Sequence, residues 1–252
     1  MLPFAKSWHR ETTLRLVCAA LVLLLSGCAL PLKPARPASV SSLLEAMDAH
    51  HPPLTSMKAL ASVSVRLGDR GAEFPEGIII DGPNLRLETL NLLYQPMLII
   101  VCSRDVAVLD VRTGACSISS PTLLERYTHM RSDPEEFGKL ITGRLIGKPD
   151  RMNWTNGERT VSGTLGRTVW TAQLDAALRI RSVSVHTPAS RPLVCVYSGY
   201  DTFDGVLLPR HITCSSNGSR LTVHYRTVHT NVPVDPSLMD IRRLCGTGLP
   251  ER

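Results

Sequence analysis

Aromatic residues are scarce, 5% of the 252-residue chain, so a folded core has to be built from Val, Leu and Ile rather than from rings. Lysine is scarce as well, five against 23 arginines, and the basic residues gather into no run of the kind that tracks nucleic acid. The longest uninterrupted apolar stretch is ten residues, 16–25, about half of what a membrane-spanning helix needs. Gly-x-Ser-x-Gly, His-Glu-x-x-His and Cys-x-x-Cys are all missing, which removes the common signatures of a serine hydrolase, a zinc protease and a redox dithiol. The stretch 143–148 (GRLIGK) has three residues between its glycines instead of four and a proline after its lysine, so it is no phosphate loop. His50-His51 stands before two prolines and reads as linker rather than as a metal pair. His224 and His229, five apart on a strand, are expected on opposite faces. Asp110, Asp175 and Asp201 have no spacing that pairs them. The chain is therefore read as a non-enzyme, with no cofactor, no metal and no nucleic-acid partner.

The first 27 residues read as an export signal and are set aside from the fold. Lys6, Arg10 and Arg15 form a basic start, residues 16–25 an apolar centre, and Leu25-Ser26-Gly27-Cys28 resembles the bacterial lipobox. That resemblance implies cleavage before Cys28 and a diacylglyceryl thioether on its sulfur; the other reading is an ordinary secretory signal beside an accidental cysteine. More than one acyl chain at Cys28 would make the tether stable. No aspartate follows the cysteine, which resembles an outer-membrane address with the folded part on the periplasmic face. Residues 31–42 hold three prolines and no apolar periodicity, so 28–40 is read as a semi-extended lipidated tether. The remainder, 41–252, is long enough for one domain with a substantial core. The formal charge of +6 falls to +4 once the leader is removed, a mild attraction to anionic surfaces.

Five cysteines lie beyond Cys28, in a compartment where disulfides persist, and an odd number leaves one unpaired. If Asp204-Gly205 makes a two-residue hairpin turn, counting outward places Cys195 opposite Cys214. Cys102 with Cys116 is a possible second pair, with Cys245 left over; alternatively several are buried thiols.

Ser42-x-x-Glu45 has capping-box form and opens a helix that Pro52-Pro53 ends. From there the period changes to two. Val63, Val65 and Leu67 alternate with Ser62, Ser64 and Arg66, and Leu85 and Leu87 with Arg86 and Glu88. Two apolar strands, 97–102 and 106–111, are joined through Ser103-Arg104-Asp105. Two short helices come next, one capped by Ser120 ahead of Pro121, the other opening at Asp133-Pro134 and stopped by Gly143. After Trp154 the strand pattern returns, with Trp170, Ala172 and Leu174 on one face and further strands at 178–186, 193–200, 206–215 and 221–228. Asn217-Gly218-Ser219 has glycosylation form but reads more simply as a hairpin turn. The order of elements gives an α+β fold: one curved antiparallel sheet with short helices.

That order resembles the LolA/LolB family of periplasmic lipoprotein carriers. The likeness spans residues 41–244: the segment 43–67 looks like the family's first helix and strand, 143–149 like its mid-chain leucine–glycine–proline stretch, and 174–185 with 205–209 like its C-terminal meander. The resemblance implies an incomplete β-barrel plugged by helices, with an apolar cavity for acyl chains or lipoproteins; Val63, Val65, Leu85, Leu87, Ile99, Val101, Trp170 and Leu174 are its expected lining. The connection 90–96 carries Leu92, Leu93 and Tyr94 where water-facing loops are polar. Its position resembles the protruding apolar loop of LolB. These residues are expected either to meet the membrane beside the lipid anchor or to extend the strands and be buried. Both faces of the strand at 97–102 are apolar, as for a sheet held between a helix and a cavity or in an ordinary two-sided core. Function is accordingly expected to be lipid or lipoprotein handling at the outer membrane, or else scaffolding of another envelope protein through a sheet edge.

Overall fold

A computed structural model describes residues 37–50, 52–120, 134–188 and 191–246. Thirteen strands form one antiparallel sheet. The first six are β1 (Ser56–Leu67), β2 (Arg70–Asp81), β3 (Asn84–Leu90), β4 (Pro96–Cys102), β5 (Val106–Asp110) and β6 (Cys116–Ser119). The remaining seven are β7 (Met152–Thr155), β8 (Thr160–Leu165), β9 (Thr168–Leu174), β10 (Ile180–His186), β11 (Leu193–Phe203), β12 (Val206–Ser216) and β13 (Ser219–Thr230). The helices are α1 (Val40–His50), α2 (Pro134–Ile141) and α3 (Ile241–Cys245).

Across the sheet the order is β6-β5-β4-β3-β2-β1-β13-β12-β11-β10-β9-β8-β7. Each half is a run of hairpins, and the halves join along a single seam where β1 pairs with β13, from Met57 opposite Thr230 to Leu67 opposite Ser219. The outermost strands, β6 and β7, do not meet, so the sheet is an incomplete barrel with an inner and an outer face. The inner face carries the main core, which includes Leu43 from α1, Phe137, Leu140 and Ile141 from α2, and Trp170, Leu208, Ile212 and Tyr225 from the strands.

Local chemistry explains the joints. Asp204 and Gly205 both have positive φ, 46° and 85°, the pairing that a two-residue turn of matching twist requires. Phe203 then faces Val206 and Cys195 faces Cys214, and those two sulfurs are bonded. The second disulfide joins Cys116 to Cys245, so among the described residues the cysteine without a partner is Cys102, buried on β4. The pairing of Cys102 with Cys116 is thereby corrected: Cys102 lies at the inner end of β4 in the core, whereas the C-terminal helix α3 brings Cys245 to edge strand β6.

Helix α1 begins earlier than the capping box at Ser42 suggests. Ser39 is the cap, its hydroxyl accepting from the Ser42 N–H at 3.2 Å, and the Ser42 hydroxyl accepts in return from the N–H groups of Ala38 and Ser39 at 3.0 Å. The histidines are also repositioned. Arg226 is an extra residue in β13, a bulge opposite Leu60 and Ala61, and it shifts the alternation by one. His224 and His229 therefore share the outer face, where His224 stacks on His211 with ring centroids 4.3 Å apart. Residues 1–36, 121–133 and 247–252 lie outside the described residues, and with them Cys28 and the helix capped by Ser120.

The two apolar faces of β4 have different partners. On the outer face Ile99 and Val101 pack with Met239, Val234, Ile241 and Leu244, a C-terminal strap that crosses this part of the sheet. Arg86 fastens it, donating to the Leu238 carbonyl at 2.7 Å while its Nε donates to Glu88 at 2.6 Å. The Cys116–Cys245 bond fixes its far end. On the inner face Leu98 and Ile100 border open space.

Candidate functional site

That space is a groove of about 380 Å³, within the range usual for ligand pockets. The inner-facing residues of β1 to β5 form its floor, among them Val63, Val65, Phe74, Ile78, Leu87, Ile100 and Val108. Leu221 and Val223 continue the floor across the seam. One wall is α2, through Phe137, Leu140 and Ile141.

Helix α2 is held against the sheet at its C-terminal end. Unpaired carbonyls there need donors. Tyr197 donates its hydroxyl to Leu140 O at 3.0 Å, and Tyr225 donates to Ile141 O at 2.8 Å. The next turn closes with Gly143 N–H on Leu140 O and Arg144 N–H on Lys139 O, the pair of hydrogen bonds that a glycine of φ 65° completes. A Cβ at Gly143 would stand 3.0 Å from the Pro209 ring and 3.1 Å from the Tyr200 hydroxyl, so glycine is required there by packing as well as by backbone angle. At the other end of α2, Glu136 accepts from the Gly147 N–H at 2.6 Å and ties the loop beyond the helix back to it. The wall is thus rigidly placed while leaving the groove unfilled.

The expected lining separates into three groups. Val63, Val65 and Leu87 line the groove. Leu85, Trp170 and Leu174 belong to the packed core instead: Trp170 sits tightly over Gly163 and against Gly147, with no room beside it for a ligand. Ile99 and Val101 are corrected to the opposite face, because in β4 the inner positions are Leu98, Ile100 and Cys102. Glu76 is a residue of the site that sequence reasoning misses. It occupies an inner position between Phe74 and Ile78, only 7% exposed, and its Oε2 has no hydrogen-bond partner. Burial pushes its carboxyl up to about 7; a hydrogen bond from Thr89 opposes the rise and Glu88 adds to it. The signal that could have found it is a glutamate at an inward position of Phe74-Pro75-Glu76-Gly77-Ile78, where alternation calls for an apolar side chain.

The groove runs toward one end of the sheet. There the register stacks the β1–β2 turn, the β12–β13 turn, the loop 91–95 and the turn 111–115. Strand β2 outruns β3: Glu76 faces Thr89, and residues 70–75 pair with β1 alone. The groove is stepped at that point, and the loop 91–95 stands at the step. Asn91 organises it, its side-chain carbonyl accepting from the N–H groups of Leu93 at 2.8 Å and Gln95 at 3.0 Å. Leu92, Leu93 and Tyr94 are 91%, 77% and 53% exposed, so the alternative that they extend the strands and are buried is not met. Tyr94 accepts from Arg226 Nη1 at 3.2 Å, which steadies the loop against the outer face. Leu67, Met97 and Val111 are exposed toward the same end.

Among the described residues, no three of His, Cys, Asp and Glu gather to hold a metal, and no helix is long and apolar enough to cross a membrane. No family model matches the sequence, and no curated protein matches it. Similarity appears in three dimensions. A LolA superfamily protein from Nitrosomonas europaea covers 80% of this chain and 98% of its own at 13% identity, with a TM-score of 0.54. A domain named for outer membrane lipoprotein sorting, from Vibrio parahaemolyticus, covers 82% and 98% at 8% identity and a TM-score of 0.57. A DUF1329 family protein from Desulfovibrio piger covers 80% and 95% at 10% identity and a TM-score of 0.58. The chain has the LolA/LolB-like fold.

Proposed function

We propose that this chain is a non-catalytic lipoprotein of the bacterial envelope, held by acyl chains on Cys28 at the periplasmic face of the outer membrane. Its groove takes up the acyl chains of lipids or of other lipoproteins and assists their transfer or insertion there. The observation that carries this reading is the apolar groove of about 380 Å³ that α2 walls without filling. A core that only stabilised the fold would be packed nearly without voids. The loop 91–95 supports it: two exposed leucines on a braced turn, at the end toward which the groove runs, suit contact with lipid. The names of the fold's solved neighbours, a LolA superfamily protein and a lipoprotein-sorting domain, point the same way. Scaffolding through a sheet edge has less support, because both edge strands, β6 and β7, are only four residues long.

Native mass spectrometry with lipid extraction, on the full chain expressed in a bacterial envelope, tests the reading. An acyl species retained near one-to-one occupancy is the expected result. A chain that stays free of lipid when palmitate and monopalmitin are supplied would overturn it.

A further inference from the structure

At the end toward which the groove runs, on the outer face of the sheet, lies a cleft of about 460 Å³, whose lining includes Arg66, Arg191 and Arg220 and no carboxylate. Arg66 on β1 stands directly opposite Arg220 on β13, an arrangement of like charges that costs stability across a sheet. Among the described residues none of the three guanidinium groups has an ion pair, although other arginines of the chain, such as Arg86, Arg179 and Arg210, are paired with acids. Ser215, Ser216 and Ser219 line the same cleft. Arg66, Arg220 and Ser215 alternate with groove residues and so point to the outer face. The cleft meets the groove only at the end of the sheet, where both reach Ser216, Ser219 and Arg220; an amphiphile that rounds this end can occupy both. Within the groove the electrostatics are reversed: Glu76 is the buried acid, and it disfavours an anion there.

We infer that Arg66, Arg191 and Arg220 form a headgroup subsite, and that the groove's ligand is an anionic amphiphile whose phosphate or carboxylate lies on these arginines while its acyl chain passes round the end of β12 and β13 into the groove. Arginine suits this role, because its planar fork donates two parallel hydrogen bonds to a phosphate or carboxylate. The inference rests on the acyl-binding reading and narrows it to a charge class.

The test compares ligands with one tail and different heads on the full chain in a non-ionic detergent. Binding of 1-palmitoyl lysophosphatidate, palmitate and neutral monopalmitin is measured beside the variant Arg66→Ala/Arg191→Ala/Arg220→Ala. The two anions are expected to bind about ten-fold or more tightly than monopalmitin, with the preference weakened by salt. In the triple variant the preference should vanish while monopalmitin binds as before. Since all three side chains are exposed, the variant's melting temperature serves as the control for folding. Equal binding of charged and neutral ligands, or a preference that survives in the variant, would overturn the subsite and leave acyl binding standing. Inorganic phosphate competing at the same concentration as lysophosphatidate would also overturn it, showing an anion site without a tail. Failure of all three amphiphiles to bind would overturn the acyl-binding reading together with the subsite.

Discussion

The hydroxyl of Tyr225, on the central strand β13, donates to the carbonyl of Ile141, the last residue of α2, at 2.8 Å, and both residues are buried. This contact and its neighbour from Tyr197 are what keep the helix standing over the groove.

Tyr225→Phe keeps the ring and removes the donor, leaving a buried carbonyl without a partner. The expected loss is roughly 1–3 kcal/mol, a fall of roughly 2–12 °C in melting temperature for a chain of this size. Calorimetry checks it. An unchanged midpoint would mean that the helix end does not depend on this hydrogen bond.

Glu76 makes stability depend on pH. Its folded-state pKa of about 7 lies above the ordinary 4.5, so the folded chain binds the proton more tightly than the unfolded one. Stability is fully retained below the lower value and declines as pH rises through the window between the two, by about 3 kcal/mol in all. Glu76→Gln is neutral throughout and should remove that decline. Melting curves at pH 5 and pH 8 are expected to nearly coincide at the lower pH and to favour the variant at the higher. A gap of equal size at both would count against the buried carboxyl as its source.

The strap over Ile99 and Val101 depends on a bond that closes a loop of 129 residues. Cys116→Ser with Cys245→Ser is expected to cost roughly 2–5 kcal/mol and to uncover the apolar outer face of β4. Increased binding of a hydrophobic dye at temperatures well below the midpoint is the readout, and reducing agent on the native chain should reproduce it.

At the loop, Leu93→Glu should leave the midpoint nearly unchanged, because the side chain is 77% exposed. Its effect is expected at lipid, if the loop acts as proposed. In vesicles containing brominated lipid, a tryptophan placed by Leu93→Trp should be quenched, whereas one placed by Val196→Trp, on an exposed site of β11, should not. Equal quenching at both positions would remove the special role of the loop.

Much of this architecture can be read from residue order, and the exceptions have physical causes. The Asp204-Gly205 turn sets a register that counting alone carries from Phe203 out to Cys195 and Cys214. Periodicity locates β4 but cannot say which neighbour covers which face, so Ile99 and Val101 read as groove residues although the strap covers them. The strap itself is hidden from sequence because α3 has five residues, too few to show a helical period. The bulge at Arg226 leaves no mark on the pattern until its partner strand is known, hence the misplaced His229. The arginine cleft is made by strands distant in sequence, Arg66 and Arg220 meeting only through the seam.

The seam also governs how the chain is made. Met57 cannot meet Thr230 until nearly the whole chain is available, so the middle of the sheet is the last part able to form. Until then β1 has β2 on one side and a bare ladder of donors and acceptors on the other, in a half-molecule whose apolar inner face is already assembled. Contacts so distant in sequence form slowly. A protein built this way needs shelter while it folds, and the interval before β13 arrives is when it is most exposed to pairing with the wrong chain.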